Sequence, residues 1–390
     1  MPAMERLLKM MADNKASDLY LSANAPVMVK VRGETLPVNN QLLSSDAPLK
    51  LLSEIVSAER IEELHATGEL NVGVPLAGVG RFRVSAMRQR GSYAIVIRFI
   101  PSEIPDLSLL RLPPVMESLC MERRGLILLV GATGSGKSTT IASMMDLRNK
   151  RTANHILTIE DPIEYEFTNR RSIVNQREVG SDTESLRIGL KNALRQAPDV
   201  IQIGEIRDRE TMSAALAYAQ SGHLCISTLH ANNSYHALNR ILSFYPVEVR
   251  PTMLGDLAAT LKAIVSQRLL RGLDGERIPA VEVMLNTKLV SELIEASDFS
   301  AIRDAMQQSM SEGSQTFEES LAFMVAEGLI DRKEAFDAAD SPTNLMWRLQ
   351  NDFAMAANAA KARAEVEEEN DDGPSFTEFT LDVRESNSNA

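Results

Sequence analysis

Gly131-Ala-Thr-Gly-Ser-Gly-Lys137-Ser138 fits G-x-x-x-x-G-K-[ST], the pattern of a loop that wraps nucleotide phosphates. Before it runs Gly125-Leu-Ile-Leu-Leu-Val130, an apolar segment of buried-strand length. After it, Ser138 to Arg151 reads as an amphipathic helix. Strand, loop and helix in that order separate a phosphate site from an ordinary glycine-rich turn. The glycines let the backbone curl so that its N–H groups converge on phosphate beside the positive end of a helix. Gly131, Thr133, Gly134, Ser135, Gly136, Lys137, Ser138 and Thr139 are therefore the candidate nucleotide-binding residues, ATP the candidate ligand. Lys137 would reach the β- and γ-phosphates, and the Ser138 hydroxyl would hold Mg²⁺.

Composition agrees with an ordinary soluble globular chain of two or three domains: 390 residues, 44% hydrophobic and 24% charged. No apolar run reaches bilayer-spanning length, and the start, MPAMERLLKMMADNKASD, reads as an amphipathic helix rather than a signal peptide. Cys120 and Cys225 form no C-x-x-C pair, which fits a reducing cytoplasm and excludes a cysteine-based zinc knuckle. The net charge of −12 argues against a nucleic-acid binder acting through bulk charge. From Lys361 onward nine acidic and three basic residues give −6 of it, so the folded remainder is only mildly acidic.

Three regions follow. The first, residues 1–100, mixes a helix at Met4–Met11, an extended Asp18–Ser22, a hairpin around Gly33-Glu34, a helix over about 46–66 and a second hairpin formed by Arg81–Ser85 and Tyr93–Ile100. Pro101, Pro105, Pro113 and Pro114 mark residues 101–114 as a linker. The second region, 115–350, alternates apolar strands (126–130, 155–160, 172–175, 200–204 and 223–229) with helices, the mark of an α/β core with a largely parallel sheet. Beyond about 250 it reads as mostly helical. Trp347 and the methionine-rich helices read as core packing. The acidic 351–390 reads as a disordered tail.

Turnover needs more than a phosphate loop. Ile156-Leu-Thr-Ile-Glu160-Asp161-Pro162-Ile-Glu164 runs a strand into three carboxylates, which can hold Mg²⁺ through its waters or take a proton from attacking water. Asp199-Val-Ile-Gln-Ile-Gly-Glu205-Ile-Arg207-Asp208 ends a strand in Glu205, where most such partners of a phosphate loop carry Asp. Gly222-His223-Leu-Cys-Ile-Ser-Thr228-Leu-His230-Ala-Asn232 ends in groups able to hydrogen-bond in one nucleotide state and not another.

These segments together resemble one family, the secretion-type hexameric ATPases, and within it the type IV pilus retraction ATPases of the PilT/PilU kind. GATGSGKST stands as its Walker A, ILTIEDPIEYEF as its Asp box, VIQIGEIRD as its Walker B with Glu, and GHLCISTLHAN as its His box. The likeness spans residues 1–345, including Ala16-Ser-Asp-Leu-Tyr-Leu-Ser22. The resemblance implies a PAS-like N-terminal domain hinged to a RecA-like ATPase domain, a homo-hexamer, and ATP with Mg²⁺. It implies that Glu164 polarises the attacking water, that Glu205 lies near Mg²⁺, and that His230 and His223 are the His-box residues. Arg83 and Arg98 match arginines that approach the phosphates, typically across domain or subunit boundaries; on sequence alone both could be solvated strand residues.

Two departures refine this. The chain cannot build the tetracysteine zinc site usual in assembly-type relatives, which favours the retraction branch. Where the principal retraction motor typically reads Ala-Ile-Arg-Asn-Leu-Ile-Arg-Glu, this chain has Leu289-Val-Ser-Glu-Leu-Ile-Glu-Ala296. With the acidic extension, that favours an accessory motor. The implied partners are the principal retraction ATPase and the inner-membrane platform protein at the cytoplasmic pilus base. No membrane insertion and no nucleic acid are expected. A nucleotide-binding scaffold subunit is the alternative. A RecA-like nucleic-acid motor is the remote one, supported mainly by Arg81, Arg83, Arg88 and Arg90.

Overall fold

The helical period of Met4, Leu8 and Met11, all fully buried, lays α1 (Ala3–Asp13) against an antiparallel sheet. The computed structural model that carries this fold describes residues 2–31, 34–100, 103–308 and 313–351. The sheet's strands are β1 (Asp18–Ser22), β2 (Pro26–Val31), β3 (Glu34–Leu42), β4 (Glu69–Leu76), β5 (Gly80–Gln89) and β6 (Ser92–Ile100), in the order β3-β2-β1-β6-β5-β4. Strand alternation sends Leu19, Leu21, Phe82, Val84, Ile95 and Ile97 into one core. Arg81 and Arg83 fall on the other face of β5, and Arg83 pairs directly with Arg98 of β6.

Two expectations for this region change. The helix over 46–66 is two helices, α2 (Ala47–Leu52) and α3 (Ala58–Thr67), because Ser57 turns to extended backbone and starts the second. The strand β4 was not anticipated; its sequence carries Gly73 and Pro75, both poor strand formers. An edge position tolerates proline, whose missing N–H faces no neighbour there.

After a 3₁₀ turn at Leu107–Leu110 and α4 (Val115–Cys120), the chain builds a seven-stranded sheet. Its elements are β7 (Gly125–Val130), α5 (Lys137–Arg151), β8 (His155–Glu160), β9 (Ile173–Glu178), α6 (Leu186–Ala193), β10 (Val200–Ile203), α7 (Arg209–Gln220), β11 (Leu224–Leu229), α8 (Ser234–Ser243), α9 (Arg250–Thr260), β12 (Leu261–Arg271) and β13 (Arg277–Leu285). The order is β13-β12-β7-β11-β10-β8-β9, and from β12 to β9 every neighbouring pair is parallel. Helices cover both faces, so β7, β10 and β11 are buried along their whole length. The result is mixed α/β, as expected.

The expectation of a mostly helical stretch beyond 250 fails at β12 and β13. Leu, Lys, Gln and Arg in Leu261-Lys-Ala-Ile-Val-Ser-Gln-Arg-Leu-Leu-Arg271 favour helix locally. Pairing with β7 overrides that preference and buries Ala263, Ile264 and Val265. Helices α10 (Lys288–Glu295) and α11 (Ile302–Gln308) follow, α10 burying Val290 and Ile294 and leaving Leu289 outside.

A second compact unit comprises Arg271–Glu276 and the chain from Phe317 on, with α12 (Phe317–Ala326), α13 (Arg332–Ala338) and a helix over 342–351. Phe317, Leu321, Ile330, Leu345 and Leu349 are buried. Trp347, expected in a core, is 62% exposed instead. The acidic tail from 352 lies outside the described residues.

Candidate active site

A parallel sheet points all its strand ends one way, and here the C-terminal ends of β7, β8, β10 and β11 converge on one cleft of about 410 Å³. Its walls include Thr133, Gly134, Lys137 and Ser138 from the loop, Glu160, Asp161, Glu164 and Tyr165 after β8, Gln202, Gly204, Glu205 and Arg207 at β10, and Thr228 and His230 at β11. Arg83 reaches the same cleft from the first sheet.

The loop's shape depends on its glycines. Gly131 has φ +153°, and a Cβ there would stand 2.5 Å from the Gln267 carbonyl oxygen and run into Ser135 Oγ. Gly136, at φ +91°, starts α5 without a side-chain cap, leaving the helix's first amides open to the cleft. Lys137 Nζ donates to the carbonyls of Gly131 and Ala132, both at 2.8 Å, which closes the loop on itself. Burial lowers the Lys137 pKa, while the carboxylates of Glu205 and Glu164 act in the opposite direction. Ser135 Oγ is buried in the loop without a partner, and Thr139 Oγ1 lies 2.8 Å from Tyr165 Oη.

The loop bearing Glu164 is pinned on both sides. Before it, the Ile163 N–H donates to Glu178 Oε2 at 3.0 Å. After it, Gln176 Nε2 donates to the Tyr165 carbonyl at 2.7 Å, and the Phe167 N–H donates to Gln176 Oε1 at 2.8 Å. Glu164 itself lines the cleft between these anchors. Its neighbour Glu160 is buried and accepts from Thr158 Oγ1 at 2.7 Å and Gln176 Nε2 at 3.2 Å. Burial pushes the Glu160 carboxyl above its ordinary value despite those donors.

Glu205 sits between Arg207 and His230. Arg207 Nε donates to its Oε2 at 2.7 Å, and His230 Nε2 lies 3.3 Å from its Oε1. Arg207 also approaches Asp161 at 3.6 Å, and its bond to Glu205 raises its pKa. Asp161, Arg207, Glu205 and His230 thus form a polar chain across the strand ends.

Two expected residues stand apart. Arg98 lines a side pocket of about 170 Å³ with Arg83, Glu164 and Tyr165, and its Nε donates to Asp18 at 2.9 Å. His223 is not brought to the cleft. It precedes β11 at the end opposite His230, with Nδ1 3.3 Å from the Tyr218 carbonyl. At about 3.3 Å of rise per residue the two histidines are about 20 Å apart. The sequence marks no role for Gln176, Glu178 or Tyr165, and Arg207 stands there only as part of a strand-end motif. Their signal was proximity to the carboxylates, legible only once β9 is seen to lie beside β8.

The oxygen donors here suit Mg²⁺. Ser138, Glu205 and Glu164 offer hard ligands. Among the described residues no group of three or more His, Cys, Asp or Glu could hold a metal by itself. That is the donor set of an ion shared with phosphate oxygens and water rather than caged by protein.

A phosphate loop facing paired strand-end carboxylates defines a nucleoside triphosphatase. Residues 2–292 match the family model described as "Type II/IV secretion system protein". The chain is 43% identical to the type IV pilus ATPase PilU of Pseudomonas aeruginosa over 342 residues, covering 87% of this chain and 90% of that one. It is 37% identical to the type IV pilus retraction ATPase PilT of the same organism over 338 residues, covering 87% and 98%. A crystal structure of the pilus retraction motor PilT with bound ADP superposes with a TM-score of 0.82 at 38% identity, covering 88% of this chain and 98% of that one. The chain belongs to this family of secretion ATPases, on the PilT/PilU side of it.

Proposed function

We propose that this protein is a ring-forming ATPase that couples ATP hydrolysis to retraction of type IV pili, as an accessory motor working with the principal retraction ATPase. The observation that carries the reading is the pinned Glu164 in a cleft shared with Lys137, Glu205 and Arg83. The β- and γ-phosphates lie along the loop amides and Lys137. Ser138 and Glu205 would hold Mg²⁺, which when bound would supply positive charge beside those phosphates. Glu164 orients water for in-line attack and accepts its proton. Arg83 brings a fixed positive charge to the phosphates, so turnover depends on where the amino-terminal sheet stands. The His230–Glu205 contact reports whether the γ-phosphate is present. A second cleft, about 350 Å³ on the other side of the loop, is lined by Asn232, Gln267, Leu269 and Arg277 and takes the nucleoside.

The ring is a homo-hexamer with head-to-tail interfaces, acting on the inner-membrane platform protein from the cytoplasm. Among the described residues no helix is long and apolar enough to cross a membrane. The 43% identity to PilU and the α10 sequence, which lacks the two arginines expected of a principal motor, support the accessory role. The same segment favours, as a second reading, a scaffold that binds nucleotide without needing to hydrolyse it. Glu164→Gln separates the two. The motor reading expects the ATPase rate to fall by about 100- to 10,000-fold with ATP binding kept, and pilus retraction to fail with it. Retraction that survives the substitution would leave the scaffold.

A further inference from the structure

Arg81 is one strand residue pair away from Arg83 but does something different. Its side chain is 16% exposed and leaves the amino-terminal sheet for the loop that carries Glu164. Nη1 donates to Glu166 Oε1 at 3.1 Å and Nη2 to Glu178 Oε2 at 2.6 Å. That same Glu178 oxygen accepts the Ile163 N–H at 3.0 Å, one residue before Glu164. Glu166 stands two residues after Glu164. One guanidinium therefore grips both flanks of the Glu164 loop, through a carboxylate that is itself 4% exposed.

The sequence makes room for this. Gly73 on β4 lies under the guanidinium, and a Cβ there would come within 2.6 Å of Nη2. Nε is buried without an acceptor, so the two terminal nitrogens carry all of the side chain's bonding. A planar fork with two separated acceptors is a geometry that lysine cannot reproduce. The same carboxylate also accepts from Ser181 Oγ, through Oε1 at 3.3 Å, and Arg60 Nη2 donates to the Gly180 carbonyl at 3.0 Å without touching that carboxylate.

We propose that Arg81 is a positioning residue: it holds the Glu164 loop in place only while the amino-terminal sheet is docked, so that movement of this sheet switches turnover. The proposal rests on the reading of Glu164 as the water-orienting base. It assigns Arg81 no contact with nucleotide, unlike Arg83.

The test uses the full chain and compares Arg81→Ala, Arg81→Lys, Glu178→Gln, the double variant Arg81→Ala/Glu178→Gln, and Glu164→Gln. For Arg81→Ala and Glu178→Gln, kcat should fall by about 10- to 100-fold, the scale of an ångström's misplacement, with KM and ADP affinity unchanged. The double variant should be no slower than the worse single, because both act on one path. Arg81→Lys should recover part of the loss. Amide exchange at residues 163–167 should rise in Arg81→Ala while exchange in α5 stays as it was, a change that general destabilisation would not confine. A variant with normal kcat, or one whose exchange rises everywhere alike, overturns the proposal, as does a double variant whose loss is the product of the singles. If Glu164→Gln turns over normally, the reading of the base fails. If it is inactive while Arg81→Ala is fully active, only the role of Arg81 fails.

Discussion

Gln176 is the residue on which the site's geometry makes its most measurable demand. Its side-chain amide joins three groups that flank the base: the Tyr165 carbonyl at 2.7 Å, the Phe167 N–H at 2.8 Å and Glu160 Oε1 at 3.2 Å. Gln176→Ala removes all three bonds at once and leaves a half-buried carbonyl and N–H to find partners. At about 1 kcal/mol for each neutral bond, and somewhat more for the one to a carboxylate, the cost is about 2–4 kcal/mol. For a unit of this size that is a fall of about 3–6 °C in Tm, read by circular dichroism. Ile163 stays anchored by Glu178, so the loop loosens on one side only and kcat should fall by about tenfold or more. KM should hold, because no loop amide or Lys137 contact changes. A Tm within about 1 °C of wild type together with an unchanged kcat would refute the account, since an ordinary surface substitution has that effect.

Three other substitutions test neighbouring features. Gly131→Ala forces a side chain into a left-handed backbone against the Gln267 carbonyl and should abolish nucleotide binding, read by equilibrium titration with a fluorescent ADP analogue. Gly134→Ala, at φ +78° with nothing within 4 Å of the added Cβ, should fold with a loss of only about 1–2 kcal/mol. Glu160→Gln tests burial of a carboxyl. Burial raises its folded-state pKa above the ordinary value of 4.5, so the native form holds its proton more tightly than the unfolded chain. The stability this contributes is present below that value and lost as pH rises through the folded-state pKa. Melts without nucleotide should therefore show Glu160→Gln gaining on wild type toward neutral pH, and the gain vanishing toward pH 4.5.

What the sequence disclosed was local. The strand, loop and helix from Gly125 to Arg151 came out nearly residue for residue, because a buried apolar run, a glycine pattern and an amphipathic period each have a short-range signature. Glu205 and His230 were legible for the same reason, as polar residues just past apolar strands, while Glu164, four residues beyond β8, was singled out from its neighbouring carboxylates only by family resemblance. Arg83 needed family resemblance, since only the pairing of β5 with β6 and the docking of that sheet bring it to the cleft. The failures were long-range. Strand β12 looked helical until β7 was beside it, and β4, with its Gly73 and Pro75, is a strand only because it pairs with β5 at the sheet's edge. His223 was grouped with His230 by motif, although a strand puts its two ends far apart. Gln176 and Glu178 carried no sign of their work, because what they hold together lies on a neighbouring strand.

The exposed Trp347 has a spectroscopic consequence. It is the chain's single tryptophan, and it lies in the second compact unit, outside the one that contains the phosphate loop. Tryptophan emission is therefore a label that the protein carries at one known place, in water contact before any unfolding begins. It reports on the surroundings of the helix over 342–351, not directly on those of the phosphate loop. Tyrosine-based or backbone signals are needed for the rest. Conversely, any change in tryptophan emission when nucleotide binds would be a direct optical record of communication between the two units.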